Sequence, residues 1–223
     1  MTRAVLASAN PGKLRELAEL LRPFALQLIP QAEYGIHPAL ETGSTFIENA
    51  LLKARHAARH AHLPAVADDS GLEVDALGGR PGVWSARFAG EGASDEQNLR
   101  QLLAELHGVP EDFRQARYQC VIVFVRSDQD REPLIAHGTW EGSIAHAPRG
   151  QGGFGYDPVF VPAGEQRTAA ELPGAQKNAL SHRGQALRAL VAMLESGGYI
   201  RTPCSADGCS SSPRPPAPAR PRW

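Results

Sequence analysis

The chain has 223 residues, 42% hydrophobic and 21% charged, which is typical of a globular protein that buries a sizeable core. Its formal net charge of −1 argues against a broad surface for nucleic acid or anionic membranes. No apolar run approaches the roughly 20 residues that span a bilayer, and we expect no signal peptide. Three cysteines do not make a disulfide framework, so the composition favours a cytoplasmic protein.

Strand and helix patterns alternate along the chain. The predicted elements, in chain order, are a strand at residues 4–7, a helix at 13–22, a strand at 26–29, a helix from 45, strands at 65–67 and 72–74, a helix from 94, a strand at 118–125, a strand or hairpin at 134–144 and a helix at 178–194. Thr45 with Glu48, and Ser94 with Gln97, have the spacing of capping boxes. Residues 118–125 are almost wholly apolar, which is typical of a central strand. An α/β fold follows.

The composition changes abruptly after Gly198. Residues 199–223 are rich in Pro, Ser and Arg and have no periodicity, which predicts a disordered tail beyond a domain of residues 1–198. Cys204 and Cys209 lie in this tail with no second pair of metal ligands nearby. We interpret them as incidental thiols.

A polar turn follows the first predicted strand directly. It consists of Ser8, Ala9, Asn10, Pro11, Gly12 and Lys13. Small residues let the backbone approach a ligand, the amides at a helix N-terminus attract anions, and Lys13 adds positive charge. The pattern predicts a phosphate site. An ordinary strand-to-helix turn is the alternative, because the spacing differs from that of the common phosphate loop.

Two adjacent carboxylates, Asp68 and Asp69, are predicted at the end of a strand, where α/β proteins place their ligands. A divalent cation, a lysine or a raised pKa would relieve their repulsion. Mg²⁺ suits a phosphate-binding protein, because it takes oxygen ligands and bridges phosphate oxygens. Glu41 is a third candidate ligand. The alternative is that Asp68 caps a turn and Asp69 is solvated.

A glycine-rich loop at residues 150–158 carries aromatic side chains. Phe154 and Tyr156 offer flat surfaces on which a base could stack, and Asp157 could accept from ring N–H groups. The alternative is a loop whose aromatic side chains cover the edge of the core.

Polar side chains also cluster near the start of the last predicted helix. They are Lys177, Ser181, His182 and Arg183. Two cations, a hydroxyl and an imidazole suit the recognition of phosphate or carbonyl groups, and a solvated helix start is the alternative. His56 and His60 have the spacing of a metal pair but no nearby carboxylate, so we interpret them as part of a polar helix face.

Together these segments resemble the inosine/xanthosine triphosphate pyrophosphatases, enzymes that remove deaminated purine nucleotides. The match is collinear over residues 3–196. It rests on Ser8-x-Asn10-x-x-Lys13-x-x-Glu16, Thr45-Phe46-x-Glu48-Asn49-Ala50, Ala67-Asp68-Asp69-Ser70-Gly71-Leu72, Gly78-Gly79-x-Pro81-Gly82, Gly153-Phe154-Gly155-Tyr156-Asp157-Pro158 and Ser181-His182-Arg183.

The resemblance implies an elongated, two-lobed α/β fold with a long twisted mixed sheet and a nucleotide cleft between the lobes. It further implies a homodimer with one or more Mg²⁺ per subunit, and no nucleic-acid or membrane partner. The reaction would be hydrolysis of ITP, dITP or XTP to the nucleoside monophosphate and pyrophosphate.

The resemblance also implies roles for individual residues. Asp69 would be the general base and would hold Mg²⁺ with Glu41, and Asp68 is a further candidate ligand. The triphosphate would lie on residues 8–13, and Ser70 would touch the nucleotide. The base would be framed by Phe154, Gly155, Tyr156, Asp157, Lys177, His182 and Arg183.

Three other functions compete with this interpretation. A pyrophosphatase for pyrimidine or methylated nucleotides is disfavoured by the aromatic loop and by Ser181-His182-Arg183. A nucleotide sensor without turnover would gain nothing from the hydrolytic carboxylates. A phosphotransferase would need a second substrate site, which the sequence does not reveal.

Overall fold

The computed structural model describes residues 2–8, 10, 12–14, 16–17 and 26–200. Its strands are β1 (Thr2–Leu6), β2 (Leu26–Pro30), β3 (Ala65–Val74), β4 (Gln115–Val125), β5 (Leu134–Ile144) and β6 (Phe160–Pro162). Its longer helices are α1 (Phe46–Ala61), α2 (Asp95–Glu105), α3 (Gly174–Leu180) and α4 (His182–Ser196). Residues 12–14, 16 and 17 are also helical, and the rest of the helix predicted at 13–22 lies outside the described residues. None of the helices described is long and apolar enough to cross a membrane.

The six strands form one mixed sheet in the order β2-β1-β3-β4-β5-β6. β1 pairs in parallel with β2 and β3, whereas the pairs from β3 to β6 are antiparallel. One apolar cluster lies beneath α4, a second lies beneath α1 on the opposite face, and a third packs α2 against the far ends of β3, β4 and β5. The predicted α/β class, with a mixed sheet flanked by helices, is confirmed.

Two capping boxes begin helices where the sequence predicts them. Thr45 and Glu48 cap α1, and Ser94 and Gln97 cap α2, each with both reciprocal hydrogen bonds. The predicted central strand at 118–125 is also confirmed, because it forms most of β4, which lies between β3 and β5.

The prediction that Asp68 and Asp69 end a strand is wrong. β3 runs without interruption from Ala65 to Val74, and its ladder with β4 continues through both aspartates. The polar run looks like a turn in isolation, but pairing with an apolar central strand overrides that local preference. Glycine suits position 71 of the strand because the 3-10 turn at Gly82–Arg87 packs directly on it: a Cβ there would lie 2.2 Å from the Gly82 carbonyl oxygen.

The single helix predicted at residues 178–194 is two helices. Ser181 has extended backbone angles and separates α3 from α4, and its Oγ accepts the Gly184 N–H at 3.1 Å. A serine at this position caps the second helix better than it continues the first. The break places His182 and Arg183 in the first turn of α4.

The close contact between α4 and β5 gives a stability prediction. A Cβ on Gly138 of β5 would lie 2.0 Å from the His182 carbonyl oxygen and 2.6 Å from the Ala186 nitrogen. Gly138→Ala should therefore lower the free energy of unfolding by about 2 kcal/mol or more, measured by urea denaturation. Gly174→Ala is the matched control, because nothing lies within 4 Å of the added Cβ. Equal stability of the two variants would contradict this packing.

The boundary predicted after residue 198 falls inside packed structure. Tyr199 packs on Phe124 with ring centroids 5.5 Å apart, and Ile200 is 4% exposed in the same cluster. The remainder of the predicted tail, residues 201–223, lies outside the described residues.

Candidate active site

A cavity of about 240 Å³ lies where β3 crosses between α1 and α4. Most of the predicted site residues line it: Ser8, Asn10, Lys13, Glu41, Asp69, Ser70, Phe154, Gly155, Tyr156, Asp157, Lys177, His182 and Arg183. Asp68 and Gly12 lie behind this lining, and Ala9 and Pro11 lie outside the described residues. The structure thus brings five separate segments of the sequence to one place: residues 8–13, 41, 69–70, 154–157 and 177–183.

The predicted phosphate turn is closed by its own asparagine. Asn10 Oδ1 accepts the backbone N–H of Gly12 at 2.8 Å and that of Lys13 at 3.2 Å. Asn10 therefore caps the helix through these two amides, and phosphate binding by residues 8–13 stays a prediction. The Phe154 ring packs directly against the backbone at Gly12, where a Cβ atom would lie only 2.7 Å from the ring.

Asp68 and Asp69 face opposite sides of the sheet, because successive side chains of a strand alternate. Asp68 shares the side of Val66 in the cluster beneath α4, and Asp69 shares the side of Ala67 beneath α1. The structure does not bring the two carboxylates together at one cation.

Asp68 is the centre of a buried ion cluster. Its Oδ2 lies 3.1 Å from Lys13 Nζ and 3.4 Å from Arg183 Nε, and its side chain is fully buried. Burial opposes ionisation, but Lys13, Arg183 and Lys53 outweigh it and hold the pKa of Asp68 well below its usual range. Asp68 therefore stays ionised and fixes two cations at the cavity wall.

Lys53, in the middle of α1, is a functional candidate that the sequence reasoning missed. Its Nζ lies 2.8 Å from both Glu41 Oε1 and Asp69 Oδ1. A signal was present in the composition: the chain has only three lysines, Lys13, Lys53 and Lys177, and all of them line the cavity. Every other basic side chain is arginine or histidine.

The carboxylates around Lys53 differ in pKa. Burial raises the pKa of Asp69, and the nearby lysines offset this only in part. Burial also opposes ionisation of Glu41, but Lys53, Lys13 and Arg87 lower its pKa below the usual value. Asp69 is therefore the better proton acceptor of the pair.

The aromatic loop is fixed by Asp157. Asp157 Oδ2 accepts the Phe154 N–H at 2.8 Å and lies 2.8 Å from Lys177 Nζ. The Phe154 ring lies beneath two cations, with Lys177 Nζ at 5.1 Å and Arg183 Cζ at 5.6 Å from its centroid. Glu16 joins the same two cations through Lys177 Nζ and an Arg183 guanidinium nitrogen. Asp157 thus organises the loop as well as bordering the cavity.

His182 is a buried, neutral imidazole. Its ring stacks on Tyr118 with centroids 4.6 Å apart and an interplanar angle of 6°. Burial, together with Arg183 and Lys177, lowers its pKa well below 6.5. Its Nδ1 has no hydrogen-bond partner among the described residues.

The depressed pKa of His182 predicts a loss of stability in acid. The folded chain leaves this imidazole neutral while the unfolded chain protonates it near pH 6.5, so acid favours unfolding. Between about pH 7.5 and about pH 5.5 this group should remove about 1 kcal/mol of stability. His182→Gln should abolish that part of the pH dependence in urea unfolding, whereas His107→Gln, at an exposed site, should keep the wild-type slope. Parallel slopes for wild type and His182→Gln would refute the assignment.

The mixed sheet and this cavity define an α/β protein whose largest described cluster of lysines and carboxylates lines one pocket. The chain belongs to the Ham1 family, whose model matches residues 4–193. It is 57% identical over 196 residues to the dITP/XTP pyrophosphatase of Photorhabdus laumondii and 55% identical over 197 residues to that of Escherichia coli K12, covering 88% of this chain and 100% of each relative.

Solved structures agree with this membership. A HAM1 protein from Coxiella burnetii has a TM-score of 0.82 and 50% identity, and the Staphylococcus aureus Ham1 protein has a TM-score of 0.78 and 41% identity. Each comparison covers 88% of this chain and 100% of the other. The resemblance inferred from the motifs is confirmed.

Proposed function

We propose that this chain is a dITP/XTP pyrophosphatase that hydrolyses ITP, dITP and XTP to the nucleoside monophosphate and pyrophosphate. The observation that carries the proposal is the cavity in which all three lysines and Arg183 meet ionised carboxylates beside an aromatic loop. The relatives of the same name, which match over their full length, support it. Phosphoryl transfer depends on positioning and charge neutralisation, and this cavity offers both.

The cations would bind the triphosphate by exchanging partners. In this structure Lys13 forms an ion pair with Asp68, and Lys53 forms ion pairs with Glu41 and Asp69. A polyanion entering the cavity competes with these carboxylates for the two ammonium groups, while Asp68 keeps Arg183 as its buried partner. Once they face the phosphates, these cations would stabilise the negative charge of the transition state.

Mg²⁺ fits the pair of Glu41 and Asp69. Both carboxylates converge on one ammonium group at 2.8 Å, so they can share a cation. In the part of the chain that the structure describes, no group of three or more metal-ligating side chains occurs. Two carboxylates are enough for Mg²⁺, because water and phosphate oxygens complete its coordination shell. We leave Asp68 out of this set because it faces the other side of β3. When bound, the ion would neutralise phosphate charge and make water more acidic.

Asp69 is the proposed general base. Lys53 fixes its carboxylate through Oδ1 at 2.8 Å, and partial burial raises its pKa toward the range in which it can accept a proton. A carboxylate of this kind would take a proton from the attacking water and deliver it to solvent.

Selection of deaminated purines would follow from hydrogen bonding at the loop end of the cavity. Phe154 offers a stacking surface, and the neutral His182 and Arg183 offer donors for a 6-oxo group. Adenine would instead present an amino group to a buried donor, and an unpaired donor costs of order 1–3 kcal/mol.

A substrate panel tests the proposal. With Mg²⁺, the protein should turn over ITP, XTP and dITP in preference to ATP, GTP and dTTP by about 100-fold or more in kcat/KM. EDTA should abolish turnover. Selective binding without turnover would favour a nucleotide sensor and overturn the proposal.

We further propose that the chain acts in the cytoplasm as a homodimer. Leu40, Trp84 and Phe113 are 84%, 55% and 64% exposed, and such large apolar side chains are available to a subunit contact.

A further inference from the structure

Asp95, the first residue of α2, is hydrogen-bonded to the aromatic loop at residues 150–158. Asp95 Oδ2 accepts the backbone N–H of Gly155 at 2.7 Å, and Asp95 also lines the cavity. We propose that Asp95 is a positioning residue, which keeps the loop in the conformation that receives the purine base. That the ligand is a purine nucleotide rests on the proposed function, whereas the hydrogen bond between Asp95 and Gly155 is independent of it.

The loop needs a contact with another segment to fix its conformation, because its glycines can adopt many backbone angles. Gly153 and Gly155 both have positive φ, at 73° and 62°, a region that glycine enters and leaves easily. Asp157 fixes the Phe154 amide from within the loop. On the outer side, Tyr156 Oη donates to the Ser85 carbonyl oxygen at 2.8 Å, and Asp95 holds Gly155.

Helix α2 is a firm support for the Asp95 carboxylate. Its first turn is closed by the Ser94–Gln97 capping box. Asn98 accepts the Ala89 N–H at 2.8 Å and donates to the Ala86 carbonyl oxygen at 3.1 Å, so α2 is hydrogen-bonded to the segment at residues 86–89. A carboxylate in the first turn is also favoured by the helix dipole. The Gly155 N–H therefore donates a charge-assisted hydrogen bond to a carboxylate that the helix holds in place.

The position of Gly155 determines that of Phe154. The Phe154 ring fits between Lys177, Arg183 and the backbone at Gly12, so a shift of its neighbour displaces the stacking surface. The carboxylates proposed for hydrolysis, Glu41 and Asp69, both accept hydrogen bonds from Lys53. Among the described residues, no hydrogen bond links these two carboxylates to the aromatic loop. Loss of the Asp95 bond should therefore weaken nucleotide binding more than it slows the bound substrate.

Three variants test this positioning role. Asp95→Ala removes the acceptor, Asp95→Asn keeps a carbonyl oxygen at the same place, and Glu96→Ala removes the neighbouring first-turn charge without touching Gly155. Asp95→Ala should raise KM for ITP about tenfold with kcat changed less than about twofold, and Asp95→Asn should restore most of the loss. Glu96→Ala should match wild type. Equal KM values for Asp95→Ala and Glu96→Ala would overturn the inference.

Hydrogen–deuterium exchange separates this inference from the proposed function. Without nucleotide, peptides that contain residues 153–157 should exchange about tenfold faster in Asp95→Ala than in wild type or Glu96→Ala. If ITP is not hydrolysed but this difference appears, the proposed function fails and the contact stands. If ITP is hydrolysed and exchange is the same in all variants, the inference fails alone.

Discussion

Asp69→Asn is expected to lower kcat for ITP by about 1,000-fold, because general-base catalysis contributes about 10²–10⁴. Asparagine keeps the size of the side chain and one oxygen for Lys53, which lies 2.8 Å from Asp69 Oδ1. The variant should therefore fold and bind nucleotide, and steady-state kinetics beside a thermal melt would separate chemistry from folding.

The matched control for this variant is Asp75→Asn. Asp75 is an exposed aspartate that pairs with Arg117 at 2.8 Å, away from the residues lining the cavity. It should retain wild-type kcat within about twofold, as surface substitutions usually do. An Asp69→Asn protein with more than about a tenth of wild-type kcat would show that another group accepts the proton.

Lys53→Met is expected to make the stability of the protein dependent on Mg²⁺. The Lys53 side chain is 12% exposed and is the shared partner of Glu41 and Asp69. Methionine has a similar length without the charge, so the variant leaves two carboxylates facing one another. In EDTA it should lose about 3 kcal/mol of unfolding free energy, and added Mg²⁺ should restore much of it by taking the vacated position.

Urea unfolding with EDTA and with Mg²⁺ measures this effect. Wild type should show the smaller Mg²⁺ response, because Lys53 already neutralises the carboxylates. Arg100→Met is the control, since Arg100 forms an exposed ion pair with Glu96 of the same helix. An Mg²⁺ response of Lys53→Met no larger than that of wild type would contradict the shared cation position.

Much of the fold was predictable because local signals agreed with tertiary structure. The capping boxes at Thr45 and Ser94 and the apolar run that became β4 are patterns whose physical cause lies within a few residues. The motif residues that line the cavity also came from such short patterns.

The errors occurred where distant contacts override local preference. The polar run at Asp68 and Asp69 reads as a turn, but pairing with β4 keeps it extended. Lys53 was missed because α1 was interpreted through its apolar face, and only the folded structure shows that this lysine reaches Asp69.

The position of bond cleavage is the most direct test of the central claim. Phosphorus NMR of the purified protein with ITP and Mg²⁺ should show inosine monophosphate and pyrophosphate appearing together in equal amounts. It should show no inosine diphosphate at any time. Release of single phosphate groups with accumulation of the diphosphate would place cleavage at the terminal anhydride and contradict the assignment as a pyrophosphatase.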